Sequence, residues 1–248
     1  MIHSRLRHIA PLVVAFTVWP AFGMAQTVPP PRQEGTAEVA FVGTTGNTST
    51  STFSAGGEHI VRPAAWMIRN RALVVRGSAE GLVTVESMLY GFRVERSFNR
   101  RLSAFGDYGY FQDERAGILR RNMITGGVAW QIADGPRHKL AADAGLGYLS
   151  ERRVAGADVS SPTYSGGALY KLSLSETAEL VADARLLGPF DNTDDWRGTH
   201  TIALTARLTT LLSLKVSNTI RYANFPPPGF KKTDTTTAVA LVASFKRQ

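Results

Sequence analysis

The chain has 248 residues, no cysteine and a formal net charge of +8. The lack of cysteine excludes a disulfide framework and any cysteine-ligated metal chemistry. Lysine and arginine do not form blocks, so the positive charge does not indicate nucleic-acid binding. After residue 25 there is no run of 18 consecutive apolar residues, and no membrane-spanning helix is predicted.

Residues 1–25 have the pattern of a cleavable secretory signal. Two arginines precede an apolar stretch at residues 9–22, and small residues lead to a cleavage position after Ala25. A membrane anchor is the alternative, but two prolines interrupt a stretch that is already short. Cleavage would remove two arginines and no acid, which lowers the net charge from +8 to +6. Residues 26–34 then form a proline-rich spacer that favours extended backbone, and residues 35–248 form a single domain.

Segments in which apolar and polar residues alternate fill that domain. In one of them Leu180, Ala182 and Ala184 share a face opposite Glu179 and Asp183. The later prolines lie at breaks between segments, as expected because proline cannot donate to a sheet ladder. We predict twelve strands, near residues 36–45, 49–61, 65–77, 82–97, 101–112, 118–132, 138–150, 162–173, 176–187, 198–209, 212–224 and 235–246.

The connections between these strands alternate in length. Short turns face mostly longer loops, as in outer-membrane barrels whose termini both lie in the periplasm. A strand of about ten residues, tilted by about 40°, covers the roughly 25 Å apolar band of such a membrane. The sequence therefore predicts an all-β antiparallel transmembrane barrel of about twelve strands in the bacterial outer membrane. A soluble periplasmic β-sandwich has the same alternation and is the alternative.

The last strand and the aromatic residues support the membrane location. The run at residues 237–245 alternates and ends in an aromatic, which is typical of barrels inserted by the barrel-assembly machinery. Outer-membrane lipids and that machinery are the expected partners, and the chain is expected to be a monomer. Outward-facing aromatics are predicted to form two girdles at the membrane interfaces: Trp66, Trp130, Tyr170 and Phe245 at the periplasmic side, and Tyr110, Tyr148 and Tyr222 at the other.

The inward-facing positions carry most of the charge. Eight basic and six acidic residues have inward parity, which indicates either a narrow, slightly anion-favouring passage or an interior closed by ion pairs. The candidate lumen-lining residues are Arg69, Arg71, Arg93, Glu95, Glu179, Asp183, Arg185, Lys215 and Arg221.

Catalytic chemistry is not indicated. The mature chain has only His59, His138 and His200, and a lipid hydrolase needs a serine within reach of a histidine base. His200 is predicted to face outward beside Ile202, without a serine on that face. We therefore predict no enzyme activity, no cofactor and no metal. Outer-loop charges, including Arg152, Arg153, Arg197 and Asp195, are expected to be solvated.

Two segments resemble signatures of the salt-induced outer-membrane protein family. They are residues 46–52 (GNTSTST), after the first predicted strand, and residues 226–237 (PPPGFKKTDTTT), before the last. The similarity covers about residues 35–245. The family is classed as a domain-of-unknown-function family of the outer-membrane β-barrel superfamily. The resemblance thus implies location and architecture, and it supplies no catalytic residues. The tail at residues 246–248 departs from the family, whose members commonly stop at the aromatic.

Together these features predict a porin-like barrel that forms a passive, narrow passage for ions or small solutes. A link to envelope or osmotic stress comes only from the family resemblance. A structural or lipid-organising barrel with a closed lumen is the second hypothesis. A lipid-acting enzyme is the third.

Overall fold

The computed structural model describes residues 31–44, 50–79 and 82–247. The predicted signal peptide, most of the spacer and the centre of the first family-like segment lie outside the described residues. The strands are β1 Gln33–Thr44, β2 Thr50–Val61, β3 Trp66–Ala79, β4 Leu82–Ser97, β5 Leu102–Asp113, β6 Ile118–Asp134, β7 His138–Arg153, β8 Val159–Ser173, β9 Ala178–Pro189, β10 Arg197–Arg207, β11 Leu212–Ala223 and β12 Thr233–Arg247. A 3₁₀ turn, Glu114–Ala116, follows β5. The predicted twelve-stranded all-β architecture is confirmed.

The sheet closes on itself. Each strand pairs antiparallel with its sequence neighbours, and β1 pairs with β12. Closure leaves no edge strand, so the backbone groups can be satisfied inside a lipid bilayer. The seam between β1 and β12 joins residues 33–39 to residues 241–247, whereas β1 pairs with β2 along its full length to Thr44. The end of the barrel that holds Gln33 and Arg247 is called the inner end below, and the opposite end the outer end.

The first and last strands are longer than predicted. Gln33 and Glu34 continue the seam register opposite Arg247 and Lys246, and Glu34 also accepts a hydrogen bond from Arg62. The spacer therefore ends before Gln33. Most of the C-terminal tail, which departs from the family pattern, is part of the last strand.

The large apolar side chains of the barrel face outward. Phe41, Ile124 and Leu146 are 70%, 65% and 66% exposed, and alternate residues of a strand point to opposite faces. The buried apolar side chains among the described residues are few: Ile60, Phe105, Ile118, Leu149, Ala203 and Val242. A soluble sandwich would bury an apolar face between two sheets. The closed barrel with its apolar outside shows that the sandwich alternative is wrong.

The strand register also places the seven predicted girdle residues. Those on the outward face near the inner end are Trp66, Trp130, Tyr170 and Phe245. Those on the outward face near the outer end are Tyr110, Tyr148 and Tyr222. Their contact with the membrane interface stays a prediction.

The connections differ at the two ends. The inner turns, residues 62–65, 98–101, 135–137, 174–177 and 208–211, contain three or four residues each. The outer loops include residues 154–158, 190–196 and 224–232. Because β7 continues to Arg153 and β8 begins at Val159, the loop between them is shorter than the predicted 151–161. Within the described residues, no helix is long and apolar enough to cross a membrane.

Candidate functional site

The barrel interior contains all nine predicted lumen residues. Their register is inward, and eight of them lie towards the inner end or the middle while Arg221 lies near the outer end. The nine are Arg69, Arg71, Arg93, Glu95, Glu179, Asp183, Arg185, Lys215 and Arg221.

Arg93 is the centre of one inner ion-pair network. Its Nε donates to Glu95 Oε2 at 2.9 Å, and its Nη1 donates to Asp107 Oδ2 at 3.0 Å. Its guanidinium lies 3.8 Å from the ring centroid of Phe105. Glu95 also accepts a hydrogen bond from Ser103. Arg93 is thus held in place by two carboxylates and an aromatic face.

Other inner ion pairs join strands that are not adjacent. Arg185 on β9 donates through Nη1 to both carboxylate oxygens of Asp143 on β7, at 3.0 and 2.9 Å. Its side chain passes over Gly167 on β8, where an added Cβ would lie 2.8 Å from Nη1. Lys215 on β11 reaches Glu38 on β1, with 2.6 Å between Nζ and Oε2. Such pairs tie the wall together along its inner face.

Arg71 lies near the middle of the lumen on β3, and its side chain lies against Gly91 on β4. Strands β3 and β9 are six positions apart in a ring of twelve, so they form opposite walls. Asp183 and Arg185 of β9 therefore face Arg71 from the opposite wall of the lumen.

Phe105 occupies space that glycines leave free. Its ring atom Cζ would lie 2.8 Å from a Cβ on Gly127 and 3.3 Å from one on Gly145. These glycines are on β6 and β7, opposite each other in register. The absence of side chains there lets the ring pack close to the wall.

A cavity of about 330 Å³ occupies the inner part of the lumen. Its lining includes three acidic residues, Glu95, Asp134 and Asp143, and therefore carries four more positive than negative charges. The basic residues of the lining are Arg69, Arg93, Arg100, Arg101, Lys139, Lys171 and Arg185.

A second ionic cluster lies near the outer end, around Glu151. This carboxylate is 1% exposed. It accepts hydrogen bonds from Arg121 Nε at 2.5 Å, Arg153 Nε at 2.7 Å and Arg197 Nη1 at 2.6 Å. Arg153 and Arg197 also reach Asp195, at 3.1 and 3.2 Å. These five residues are called the outer cluster below.

The outer cluster corrects the expectation that outer-loop charges are solvated. That expectation was wrong for Arg153, Arg197 and Asp195, which are buried or nearly so. The reason is that β7 extends past its predicted end and that Asp195, in the loop between β9 and β10, points into the mouth towards Arg153 and Arg197. Arg152, paired with Asp158 at 3.8 Å, is solvated as expected. The exposed outer-loop charges also include Asp191, Asp194, Lys231, Lys232 and Asp234. The alternation of Leu149, Glu151 and Arg153 could have indicated the inward direction.

The loop between β11 and β12 lies across the outer mouth. Its Phe230 ring approaches Gly117, which follows β5 on the far side of the barrel; an added Cβ there would be 2.9 Å from Cδ2. Its Pro228 approaches Gly156 in the loop between β7 and β8, where the corresponding distance to Cδ is also 2.9 Å. Residues 224–232 are called the lid below. A cavity of about 80 Å³ lies between the lid and the outer cluster.

The three histidines among the described residues lie on the outward face. The His59 ring centroid is 6.4 Å from that of Phe245, and His138 Nδ1 is 2.6 Å from the Tyr170 hydroxyl. His200 is exposed and lies opposite Ala184 and Ile220 in register. In the described part of the chain, no group of three or more His, Asp or Glu side chains could hold a metal ion.

The family model described as "Protein of unknown function, DUF481" matches residues 37–245. The chain belongs to the DUF481 family. No curated protein matches it. Among solved structures, an outer-membrane channel of Pseudomonas putida F1 is similar at a TM-score of 0.52 and 11% identity, covering 92% of this chain and 100% of the channel.

Two further structures are similar to this DUF481 chain. The NanC porin has a TM-score of 0.49 and 6% identity, over 87% of this chain and 99% of the porin. The translocator domain of the autotransporter NalP from Neisseria meningitidis has a TM-score of 0.48 and 11% identity, over 89% of this chain and 90% of the domain.

The DUF481 protein is located in the bacterial outer membrane. It is a closed barrel with an apolar outward surface, and it shares the fold of the Pseudomonas channel. In this chain the second family-like segment corresponds to most of the lid and the beginning of β12.

Proposed function

We propose that this barrel is a narrow passage for ions and small polar solutes, closed at its outer end by the lid and the outer cluster. The observation that supports it best is the interior itself. The lumen contains charged side chains and a cavity of about 330 Å³, in place of the packed apolar side chains that fill a barrel core. Closure at the outer end comes from a loop, and loops move more readily than strand walls.

The closed structural barrel remains the second candidate. The contacts that favour it are the ion pairs between strands that are not adjacent. If these pairs never open, the charged side chains of the lumen only neutralise one another, and no solute passes. The lipid-acting enzyme receives no support from the described residues, because among their side-chain hydrogen bonds a histidine bonds Tyr170 and no histidine bonds a serine.

Single-channel recording in planar bilayers separates the two candidates. Wild type is expected to give small, infrequent current steps. Phe230→Ala removes the ring that packs on Gly117, and we expect longer open times or larger steps. Phe98→Ala is the matched control, because Phe98 is an exposed phenylalanine in an inner turn.

Folding must be verified for each variant by the shift in gel mobility on boiling. A folded wild type and a folded Phe230→Ala variant that both remain silent would refute the passage. That result would leave the structural barrel.

Three further parts of the proposal rest on the sequence. Residues 1–25 are removed after Ala25, the barrel-assembly machinery inserts the chain, and the barrel is a monomer. Mass spectrometry of the purified protein tests the first, and depletion of the machinery tests the second. Light scattering of the solubilised barrel tests the third.

The link to salt or osmotic stress is also a proposal, drawn from the family resemblance. If it is correct, the amount of protein in the outer-membrane fraction rises after a shift to high salt. An unchanged amount would remove the stress element and leave the passage proposal intact.

A further inference from the structure

Two pairs of like charges face the inner cavity. The register sets Lys139 directly opposite Lys171 on β7 and β8, and Arg69 directly opposite Arg93 on β3 and β4. All four residues line the same cavity. Like charges directly opposite on adjacent strands destabilise a sheet. These like-charged pairs therefore do not stabilise the barrel, and their presence needs another explanation.

One member of each pair is neutralised more fully than the other. Arg93 has Glu95 and Asp107, and Lys139 Nζ lies 3.0 Å from Asp134 Oδ1. Within the described residues, no carboxylate lies within ion-pair distance of Lys171.

Arg69 is only partly neutralised. Its Nε is 3.7 Å from Glu58 Oε2, which is too far for a hydrogen bond. That buried nitrogen has no hydrogen-bond partner among the described residues. The Arg69 side chain as a whole is 31% exposed, so an anion in the cavity would meet its other guanidinium nitrogens, whose charge Glu58 neutralises only in part.

The cavity has the size and the surroundings of a small-molecule site. Its volume of about 330 Å³ is within the range of about 300–1,000 Å³ found for ligand pockets. Met67 and Leu169 add apolar surface to the lining.

We infer that the inner cavity is a binding site for a small anion with two or more negative charges, of the polycarboxylate or condensed-phosphate class. Lys171 supplies a compact positive charge and Arg69 supplies a guanidinium donor. Arg101 adds a further charge at the rim. The site does not depend on the proposed passage, because an anion can enter from the inner side while the lid stays closed.

Calorimetric titration of the folded, detergent-solubilised barrel at low salt tests this inference. The probes are citrate, pyrophosphate and sucrose. We expect saturable binding of one molecule of citrate or pyrophosphate per barrel, weakened by added salt, and no binding of sucrose. The tighter of the two anions identifies the carboxylate or phosphate class. No saturable binding of either anion would overturn the inference.

Lys171→Gln is the decisive variant. It is expected to weaken anion binding about tenfold, the size of one lost charge-assisted contact. Arg137→Gln is the matched control, because Arg137 lies in the adjacent inner turn and does not line the cavity. Its anion affinity should match wild type. Equal weakening by both variants would mean diffuse surface attraction and would overturn the site.

Stability gives a second readout. Because Lys171→Gln relieves the repulsion with Lys139, the variant should unfold at the same or a higher temperature than wild type. A lower unfolding temperature with unchanged binding would show that Lys171 is structural, which also contradicts the inference. If the bilayer recordings show no current steps, the passage proposal fails and the anion site is unaffected. If the titration shows no anion binding, the anion site fails and the passage proposal is unaffected.

Discussion

The two ends of the lumen neutralise their charges differently. At the outer end Glu151, 1% exposed, is shared by three guanidinium groups under the lid. At the inner end Arg185 remains 41% exposed in its pair with Asp143, and Lys171 faces the cavity next to another lysine. A buried network of shared ion pairs is costly to break and therefore resists opening. Charges that are exposed to solvent and incompletely paired remain available to bind a solute. The difference is what the proposed closure at the outer end and the proposed anion site at the inner end would require.

Glu151→Gln tests the outer half and has the largest expected effect. It leaves three buried guanidinium groups with too little negative charge, so the free energy of unfolding should fall by about 3–5 kcal/mol. Urea unfolding followed by tryptophan fluorescence measures it. Glu179→Gln, an inward glutamate of the inner half, is the control and should cost less than about 1 kcal/mol. Similar losses for both variants would contradict the contrast between the ends.

Gly127→Ala tests the packing of the inner wall. An added Cβ would lie 2.7 Å from Gly145 Cα and would overlap the Ala144 carbonyl oxygen. These are backbone atoms that cannot move away easily, so we expect a loss of about 1–3 kcal/mol in the free energy of unfolding.

The adjacent Gly126→Ala is the control for Gly127→Ala. Its nearest neighbour is 3.9 Å away, and its stability should stay close to wild type. If both alanine variants have the stability of wild type, Phe105 and the wall are less tightly packed than their positions indicate.

Arg221→Glu should have the smallest effect on stability and a clear effect on ion preference. Arg221 lies 5.7 Å from the Phe111 ring centroid, and it has no ion pair within the described residues. Charge reversal should therefore move the permeability ratio towards cations by roughly twofold. Reversal potentials in a salt gradient, measured with the lid variant Phe230→Ala as background, provide the readout. An unchanged ratio would mean that Arg221 does not line the conducting route.

Arg93→Glu is the counterpart at the inner end. Because Arg93 is bound to Glu95 and Asp107, its reversal should destabilise the barrel before any preference can be measured. Arg93 and Arg221 both occupy inward positions, so the alternation in the sequence does not distinguish them. Their ion-pair contacts in the structure do.

The alternation of side chains was enough to predict the architecture. The inward position of Arg93 and the outward position of Trp130 both follow from a period of two. Successive side chains of a strand point to opposite faces, so the direction of one side chain fixes the direction of all the others. The prolines marked the connections at residues 62–65, 135–137 and 224–232, but the prediction that each proline lies at a break was wrong for Pro162, which is inside β8, and Pro189 is the last residue of β9. Strand ends were less predictable, since Glu34 and Arg153 remain in strands through pairing partners that are distant in sequence.

The outer cluster and the lid could not be predicted from alternation. Glu151 and Arg197 are 46 residues apart, and Phe230 reaches Gly117 across the barrel. Such contacts depend on how loops fold over the mouth, and loop conformation has no simple period. The like-charged Lys139 and Lys171 were individually visible in the sequence, but only the register between β7 and β8 sets them side by side.

The seam has a consequence for how the barrel assembles. It joins residues 33–39 to residues 241–247, the first and last strands of the chain, so it brings together segments that are roughly 200 residues apart. Contacts of such high sequence separation form late, because the chain must give up most of its freedom before they can be made. The seam register also ends at Val39, while β1 continues alongside β2 to Thr44. We therefore expect the ring to close last, and to open first, at this junction. Amide hydrogen exchange should be faster along β1 and β12 at the seam than between β6 and β7.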